Sequence, residues 1–414
     1  MKILKEVVKK LRPSPDEVLS LQKTVRELRR RLGKATEREI ALVGSVAKKT
    51  FLSGEGDVDL FILFDERLDK EKIKTELESI FRKAFPGYAY QMNYAEHPYI
   101  RFHFGARRID LVPAYKTKNA KERLTAVDRS VLHTRFILRN LKKSQRDEVR
   151  LLKKFLKANE LYGAEIRVEG LSGYLCELLI IRYGSFRRLL KAVLRWKLPM
   201  VIDIKGYYKG LKKDELIKRF NSRFVVIDPT DKNRNVAAAL SEDNLKRFIS
   251  LCKKFNKKPR EVFFFKKPES FDEKVRRRNG IVRIIEMPRA EVVDDILWGQ
   301  LKKFMRTLRT ELSDFDVKDI FADSNDIVKI AIVTKKAIVG GTMEKKGPPI
   351  EMSEHVKNFR RAHKGQRVIN RGGRAVAIVR VQKKTLGSAL RQIILVNKKR
   401  FNHLSLAKAT VEPK

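Results

Sequence analysis

The sequence predicts a multidomain α+β protein: a compact α/β head, a mainly helical second domain and a basic α/β C-terminal region. Three observations predict it. Helical and strand patterns alternate through residues 14–113, as in a compact mixed domain. From about residue 125 the apolar positions recur at helical spacing instead. Residues 327–414 hold strand-like segments among basic loops, with 21 Lys or Arg against 4 Asp or Glu. The boundaries are read as 1–143, 144–256 and 257–414, the last opening near Lys257-Lys258-Pro259.

Residues 14–33 form the first expected helix. Ser14-Pro15-Asp16 supplies a cap with Pro in the first turn, apolar residues recur at 18, 21 and 28, and Gly33 is read as the stop. Strands are expected at 39–44 and 57–64, a helix at 69–85 before Pro86-Gly87, and strands at 88–94, 99–104 and 108–113. Helices follow at 125–141 and 145–158, the second with Ser144 as its N-cap, then from Leu171 and again over 189–194. Phe224-Val225-Val226-Ile227 reads as a buried strand ending in the turn Asp228-Pro229-Thr230-Asp231, before a helix at 241–255. Beyond the boundary, Val262-Phe263-Phe264-Phe265 reads as a strand, 291–312 as a helix, and 327–333 and 375–381 as strands.

The formal net charge is +44 over 414 residues, which calls for a polyanionic partner, and nucleic acid fits better than a membrane surface. There is no apolar run of about 18 residues, so no membrane span is expected. Met1-Lys2-Ile3-Leu4-Lys5-Glu6 mixes charges early and has no signal-peptide core. The only cysteines, Cys176 and Cys252, sit in apolar-periodic segments, which excludes a disulfide framework and a cysteine zinc site. The expected compartment is the cytoplasm.

The chemistry concentrates at Gly44-Ser45 and Gly56-Asp57-Val58-Asp59. Side chains alternate along a strand, so Asp57 and Asp59 project from one face. Adjacent carboxylates repel unless a cation lies between them, and Mg²⁺ is the usual one. A Gly-Ser turn can offer N–H groups and a hydroxyl to phosphate. In two-metal nucleotidyl transfer the ions lie about 3.5–4 Å apart and stabilise attacking and leaving oxygens, which takes at least two bridging carboxylates and usually a third. Asp110, an isolated acid in Arg108-Ile109-Asp110-Leu111-Val112-Pro113, is the candidate. The bland alternative has Asp57 capping a turn and Asp110 paired with Arg107 or Arg108.

This Gly-Ser, Asp-x-Asp and later-Asp pattern resembles the polymerase-β-type nucleotidyltransferase superfamily. The chain is more specifically similar to the archaeal, class I CCA-adding enzymes, which are tRNA nucleotidyltransferases. The matching segments include Tyr94-Ala95-Glu96-His97-Pro98-Tyr99, Tyr162-Gly163-Ala164-Glu165, Ser172-Gly173-Tyr174-Leu175-Cys176-Glu177 and Arg234-Asn235-Val236-Ala237. The resemblance implies a polymerase-β-like head, two Mg²⁺ ions held by Asp57, Asp59 and Asp110, and addition of C, C and A to the 3′ end of tRNA from CTP and ATP. It implies that Ser45 and Lys48 meet the triphosphate, Lys48 standing where the family often has Arg. It also implies that Lys153 and Tyr162 bind the β- and γ-phosphates and that His97 lies near the ribose. Ser130 and His133, spaced i, i+3, would line the nucleotide pocket, and Arg234 would read the incoming base together with an RNA phosphate. Arg360, Arg361, Lys364, Arg371 and Arg374 are the expected contacts to the tRNA acceptor stem. The alternatives are another template-independent RNA nucleotidyltransferase, such as a poly(A) polymerase or oligoadenylate synthetase relative, and an inactive RNA-binding relative. Oligomeric state is open, a homodimer included.

Overall fold

The computed structural model describes residues 2–65, 68–94, 97–117 and 127–413. It divides into two compact units, Met1–Pro268 and Glu269–Lys414.

The first unit opens with α1 (Lys2–Leu11), α2 (Pro15–Ala35), β1 (Glu39–Val43), the short α3 (Gly44–Ala47), β2 (Val58–Phe64) and α4 (Lys70–Ala84). β3 (Tyr90–Tyr94), β4 (Pro98–Phe104), β5 (Arg107–Tyr115) and α5 (Arg129–Asn140) complete the head. The expected helix at 125–141 thus begins partly outside the described residues. Ser14 caps α2 as expected, its hydroxyl accepting from the Glu17 N–H at 3.1 Å. Gly33 does not stop the helix, which runs on to a cap at Thr36. The unexpected α1 is amphipathic despite its early charges, and buries Val7 and Leu11 in the core formed mainly by the helical region.

The five head strands lie in the order β1-β2-β5-β4-β3. Only β2 and β5 run parallel, and their register sets Asp59 beside Asp110. β2 is covered on both faces, which explains its unbroken apolar run. Leu60, Ile62 and Phe64 face the core that also holds Leu28 of α2 and Leu77 of α4. Phe61 and Leu63 face Val131 of α5. Asp57 and Asp59 share that second face, so the fold directs the carboxylates to the same side as α5.

α6 (Gln145–Lys157), α7 (Gly173–Tyr183), α8 (Phe186–Val193), β6 (Met200–Asp203), α9 (Lys213–Phe220), β7 (Phe224–Asp228), β8 (Asp231–Asn235), α10 (Glu242–Lys257) and α11 (Val262–Phe265) complete this unit. Ser144 precedes α6 without capping it by its side chain. β6, β7 and β8 form a small sheet, which makes the turn after β7 a hairpin with two paired flanks. Val262–Phe265 is a short helix, not the expected strand: Phe264 is buried against Phe155, Phe186 and Phe255, and this packing overrides local β-propensity.

The second unit contains α12 (Phe271–Arg276), β9 (Ile281–Pro288), α13 (Asp294–Glu311), β10 (Val317–Ser324), β11 (Ile327–Thr334), β12 (Ile338–Pro349), α14 (Ser353–Ala362), β13 (Arg367–Arg371), β14 (Arg374–Thr385), α15 (Leu386–Asn397) and β15 (Thr410–Pro413). Two antiparallel sheets, β10-β11-β9-β15 and β12-β14-β13, organise it. α13 and α15 bury Leu301, Phe304, Leu390 and Ile393 against the first sheet's Ile285 and Ile330. Among the described residues no helix is long and apolar enough to cross a membrane.

Candidate active site

Asp59 lies directly beneath the turn that joins β1 to α3. Gly44 has φ +70°, and a Cβ placed on it would stand 1.9 Å from Asp59 Oδ2. Glycine is therefore required both for the turn and for the close approach of backbone to carboxylate. Burial pushes Asp59 up to about 6, and the negative charges of Asp110 and Asp57 push in the same direction. Asp110 forms a two-pronged ion pair with Arg101, at 2.7 Å for each oxygen, and Asp57 pairs with Arg108. The expected bland partner of Asp110 is thus replaced by Arg101, its cross-strand neighbour on β4. Among the described residues no three ligating side chains converge on one point. The donor set nonetheless fits a divalent cation: three mutually repelling carboxylates, two already neutralised by guanidinium groups, are hard oxygen ligands that lack a shared positive charge.

A second cluster ties the head to α6 and α7. Glu177 is 0% exposed and accepts from Lys48 Nζ at 2.6 Å and from Thr50 Oγ1 at 2.7 Å. Lys153 Nζ donates to Thr50 O at 3.2 Å and lies 3.7 Å from Glu177 Oε1. Burial disfavours the Glu177 charge, but Lys48 and Lys153 outweigh it and hold the carboxyl below its usual range. Burial pulls Lys153 down, against the attraction of Glu177. Lys48 and Lys153 are only 8% and 3% exposed. Arg150 adds a second tie, donating to the carbonyls of Phe51 and Lys49 at 2.8 Å each.

The third cluster surrounds Asp228 at the end of β7, also 0% exposed. Its Oδ2 lies 2.8 Å from His133 Nε2 and accepts from Arg234 at 3.0 Å. Its Oδ1 accepts from Tyr174 Oη at 3.1 Å and from the Thr230 N–H and hydroxyl at 2.8 Å each. The His133 ring stacks on Tyr174, with centroids 3.9 Å apart and planes at 17°. Burial opposes the Asp228 charge, but hydrogen bonds from His133 and Thr230 hold the group well below the carboxylate range. Burial also keeps His133 below its ordinary value.

Ser130 stands one turn before His133 on α5, half-buried, and Ser45 lies half-buried in α3. Tyr162 reaches across to α7: a Cβ on Gly173 would come within 2.9 Å of its hydroxyl. His97 is buried edge-on to Tyr115, with centroids 5.5 Å apart. The sequence reading missed Glu177, Thr50, Asp228, Tyr174 and Arg150 as site residues. Glu177, Tyr174, Arg150 and Asp228 all lie within segments that carry the family resemblance, which is the one signal that could have found them, because their tertiary partners leave no local pattern.

In the second unit, Arg360, Arg361 and Lys364 are exposed on and just after α14. Arg371 and Arg374 flank the Gly372-Gly373 hairpin, Arg371 paired with Glu344 and Arg374 donating to Gly347 O at 2.9 Å.

Family comparisons divide the chain in the same order. Family models described as a nucleotidyltransferase domain, a tRNA nucleotidyltransferase second domain and a CCA-adding enzyme C-terminal domain match residues 21–137, 147–265 and 278–405. The CCA-adding enzyme of Methanocaldococcus jannaschii is 34% identical over 386 residues, covering 86% of this chain and 83% of that protein. That of Archaeoglobus fulgidus is 35% identical over 381 residues, covering 90% and 84%. The chain belongs to the archaeal CCA-adding enzyme family. That of Saccharolobus shibatae, 33% identical over 362 residues and covering 86% of this chain and 84% of that protein, extends the likeness to another archaeal genus. Among solved structures, a cytoplasmic RNA terminal U-transferase superposes with TM-score 0.52 at 16% identity, over 65% of this chain and 98% of its own. The Cid1 poly(U) polymerase gives 0.51 at 15%, over 64% and 98%. These two share the fold, a polymerase-β-type nucleotidyltransferase head with its following domain. Nucleotidyltransferases of this superfamily work with divalent metal ions, and CCA-adding enzymes act on tRNA with nucleotide substrates.

Proposed function

We propose that this CCA-adding enzyme family member completes the 3′ end of tRNA, adding C, C and A from CTP and ATP without a nucleic-acid template and releasing pyrophosphate. The observation that carries the reading is Asp59, half-buried under the Gly44 turn and in register with Asp110 on the sheet face turned to α5.

Asp57, Asp59 and Asp110 would hold two Mg²⁺ ions. When bound, such ions act as Lewis acids on the phosphates and favour deprotonation of the attacking 3′-hydroxyl. Asp59 would bind the ions as the ionised carboxylate, and Arg101 and Arg108 would have to release Asp110 and Asp57 to them. Ser45, Lys48, Lys153 and Tyr162 orient the triphosphate for in-line attack. His97, Ser130 and His133 bound the nucleoside pocket, and Arg234 presents donors to the base edge. We place the enzyme in the cytoplasm, where the buried free thiols Cys176 and Cys252 suit a reducing medium. A homodimer is also proposed, for sedimentation velocity to decide.

The test uses tRNA lacking its terminal CCA, with CTP, ATP and Mg²⁺. Growth by three residues is expected. Growth into a long A-tail selects the poly(A) polymerase alternative, and no growth selects the inactive RNA-binding relative. A second test addresses the C-terminal basics. Changing Arg360, Arg361, Lys364, Arg371 and Arg374 to Ala weakens tRNA binding, and the slope of log affinity against log salt falls by about 1 for each phosphate no longer neutralised. An unchanged slope removes these residues from the tRNA interface.

A further inference from the structure

Asp228 belongs to no expected set of site residues, yet it is the point at which three elements of the nucleotide pocket meet. It joins α5 through His133, α7 through Tyr174 and β8 through Arg234. A single buried carboxylate collects every one of these bonds, together with two from Thr230. Such density fixes directions as well as positions.

The consequences follow from donor and acceptor chemistry. An ionised carboxylate only accepts, so His133 must donate from Nε2. A neutral imidazole held this way carries no proton on Nδ1, which is left as an acceptor. The Tyr174 ring stacked on His133 fixes the imidazole plane. Arg234 spends one NH1 bond on Asp228, and its side chain is still 31% exposed. Its remaining N–H groups can only donate. On the pairing edges of the bases, N3 of cytosine and N1 of adenine are lone-pair acceptors, whereas N3 of uracil and N1 of guanine carry protons. A fixed guanidinium donor therefore suits C and A together and opposes U and G together. A guanidinium free to rotate could instead turn to the carbonyl oxygens of U and G.

We propose that Asp228 is the positioning residue that sets nucleotide selectivity, by locking Arg234 as a donor of fixed direction and His133 as its ordered neighbour. The inference rests on the CCA-adding reading and on Arg234 meeting the base.

The test is the ratio of kcat/KM for CTP over UTP on tRNA lacking its CCA, measured for the full-length wild type and its variants. Asp228→Asn places an amide N–H where donors now converge, and the ratio falls by about tenfold or more. Tyr174→Phe keeps the stacked ring and removes one donor to Oδ1, and the ratio falls by about threefold; it also serves if Asp228→Asn does not fold. In an Arg234→Ala background, Asp228→Asn lowers the ratio no further. A folded variant that loses rate equally with both nucleotides, leaving the ratio unchanged, overturns the proposal and assigns Asp228 a structural role. A wild type that adds neither nucleotide overturns the underlying functional reading instead.

Discussion

Asp59→Asn abolishes nucleotide transfer, lowering the rate by about 10³-fold or more, the scale of loss when one preorganised charge is removed from a reacting centre. The size of the effect follows from placement. Asp59 is the middle carboxylate, with Asp110 beside it on β5 and Asp57 two residues before it on the same face. Asn keeps the shape and one acceptor oxygen but not the charge that cations require. Binding of tRNA, proposed to rest on residues of the second unit, stays measurable in a filter or fluorescence assay.

The same substitution has an opposite effect on stability. Asp59 is pushed up to about 6 in the folded chain, from an ordinary 3.8. Between those pH values the folded state binds a proton that the unfolded state has lost, so stability falls as pH rises through the window. Asn carries no such penalty. In chelator, thermal melts of the two proteins coincide below pH 3.8, part as the pH rises to about 6 and stay apart above it, with the variant melting higher. A variant less stable than wild type at neutral pH would mean that the carboxylates do not repel one another as the geometry implies.

Glu177→Ala has the largest expected effect on folding. It leaves Lys48 and Lys153 buried without their shared acceptor, and removing one partner from such a cluster costs about 3–5 kcal/mol. Thr50 is also deprived of the carboxylate to which it donates. Because Glu177 is held below its ordinary value of 4.5, its contribution is present above that pH and is lost as pH falls through the folded value. Urea denaturation near neutral pH should show the loss, with a smaller one for Glu177→Gln, which keeps the Thr50 acceptor. A midpoint unchanged in Glu177→Ala would mean that water replaces the carboxylate at no cost.

The two substitutions separate what was legible in the sequence from what was not. The placement of Asp57 and Asp59 on one strand face was legible because alternation is local, and Asp110 stood out because an acid in an apolar strand needs a reason. Glu177 was given no role although it lies in a segment that carries the family resemblance, because its chain neighbours do not show what it binds. It is the tertiary approach of Lys48 and Lys153 that makes it central. Asp228 read as a turn residue, and its side chain does bind the Thr230 N–H as turn aspartates do. Its bonds to His133 and Tyr174 come from elements 95 and 54 residues away, beyond any local pattern. The β12-β14-β13 sheet was only partly legible. β12 includes Gly340-Gly341 and charged residues instead of a clean apolar alternation, and α14 buries none of its residues, so neither leaves a strong periodic trace.

One carboxylate centre is proposed to serve both nucleotides. Its most direct test is stepwise extension, resolved to single residues, of tRNA lacking its CCA. Wild type given CTP alone should add two residues and stop, and ATP supplied afterwards should add one. Asp59→Asn should fail at every step. A variant that still adds A to a tRNA ending in CC, while failing to add C, would place the chemistry of the last step elsewhere and rule out a single carboxylate centre.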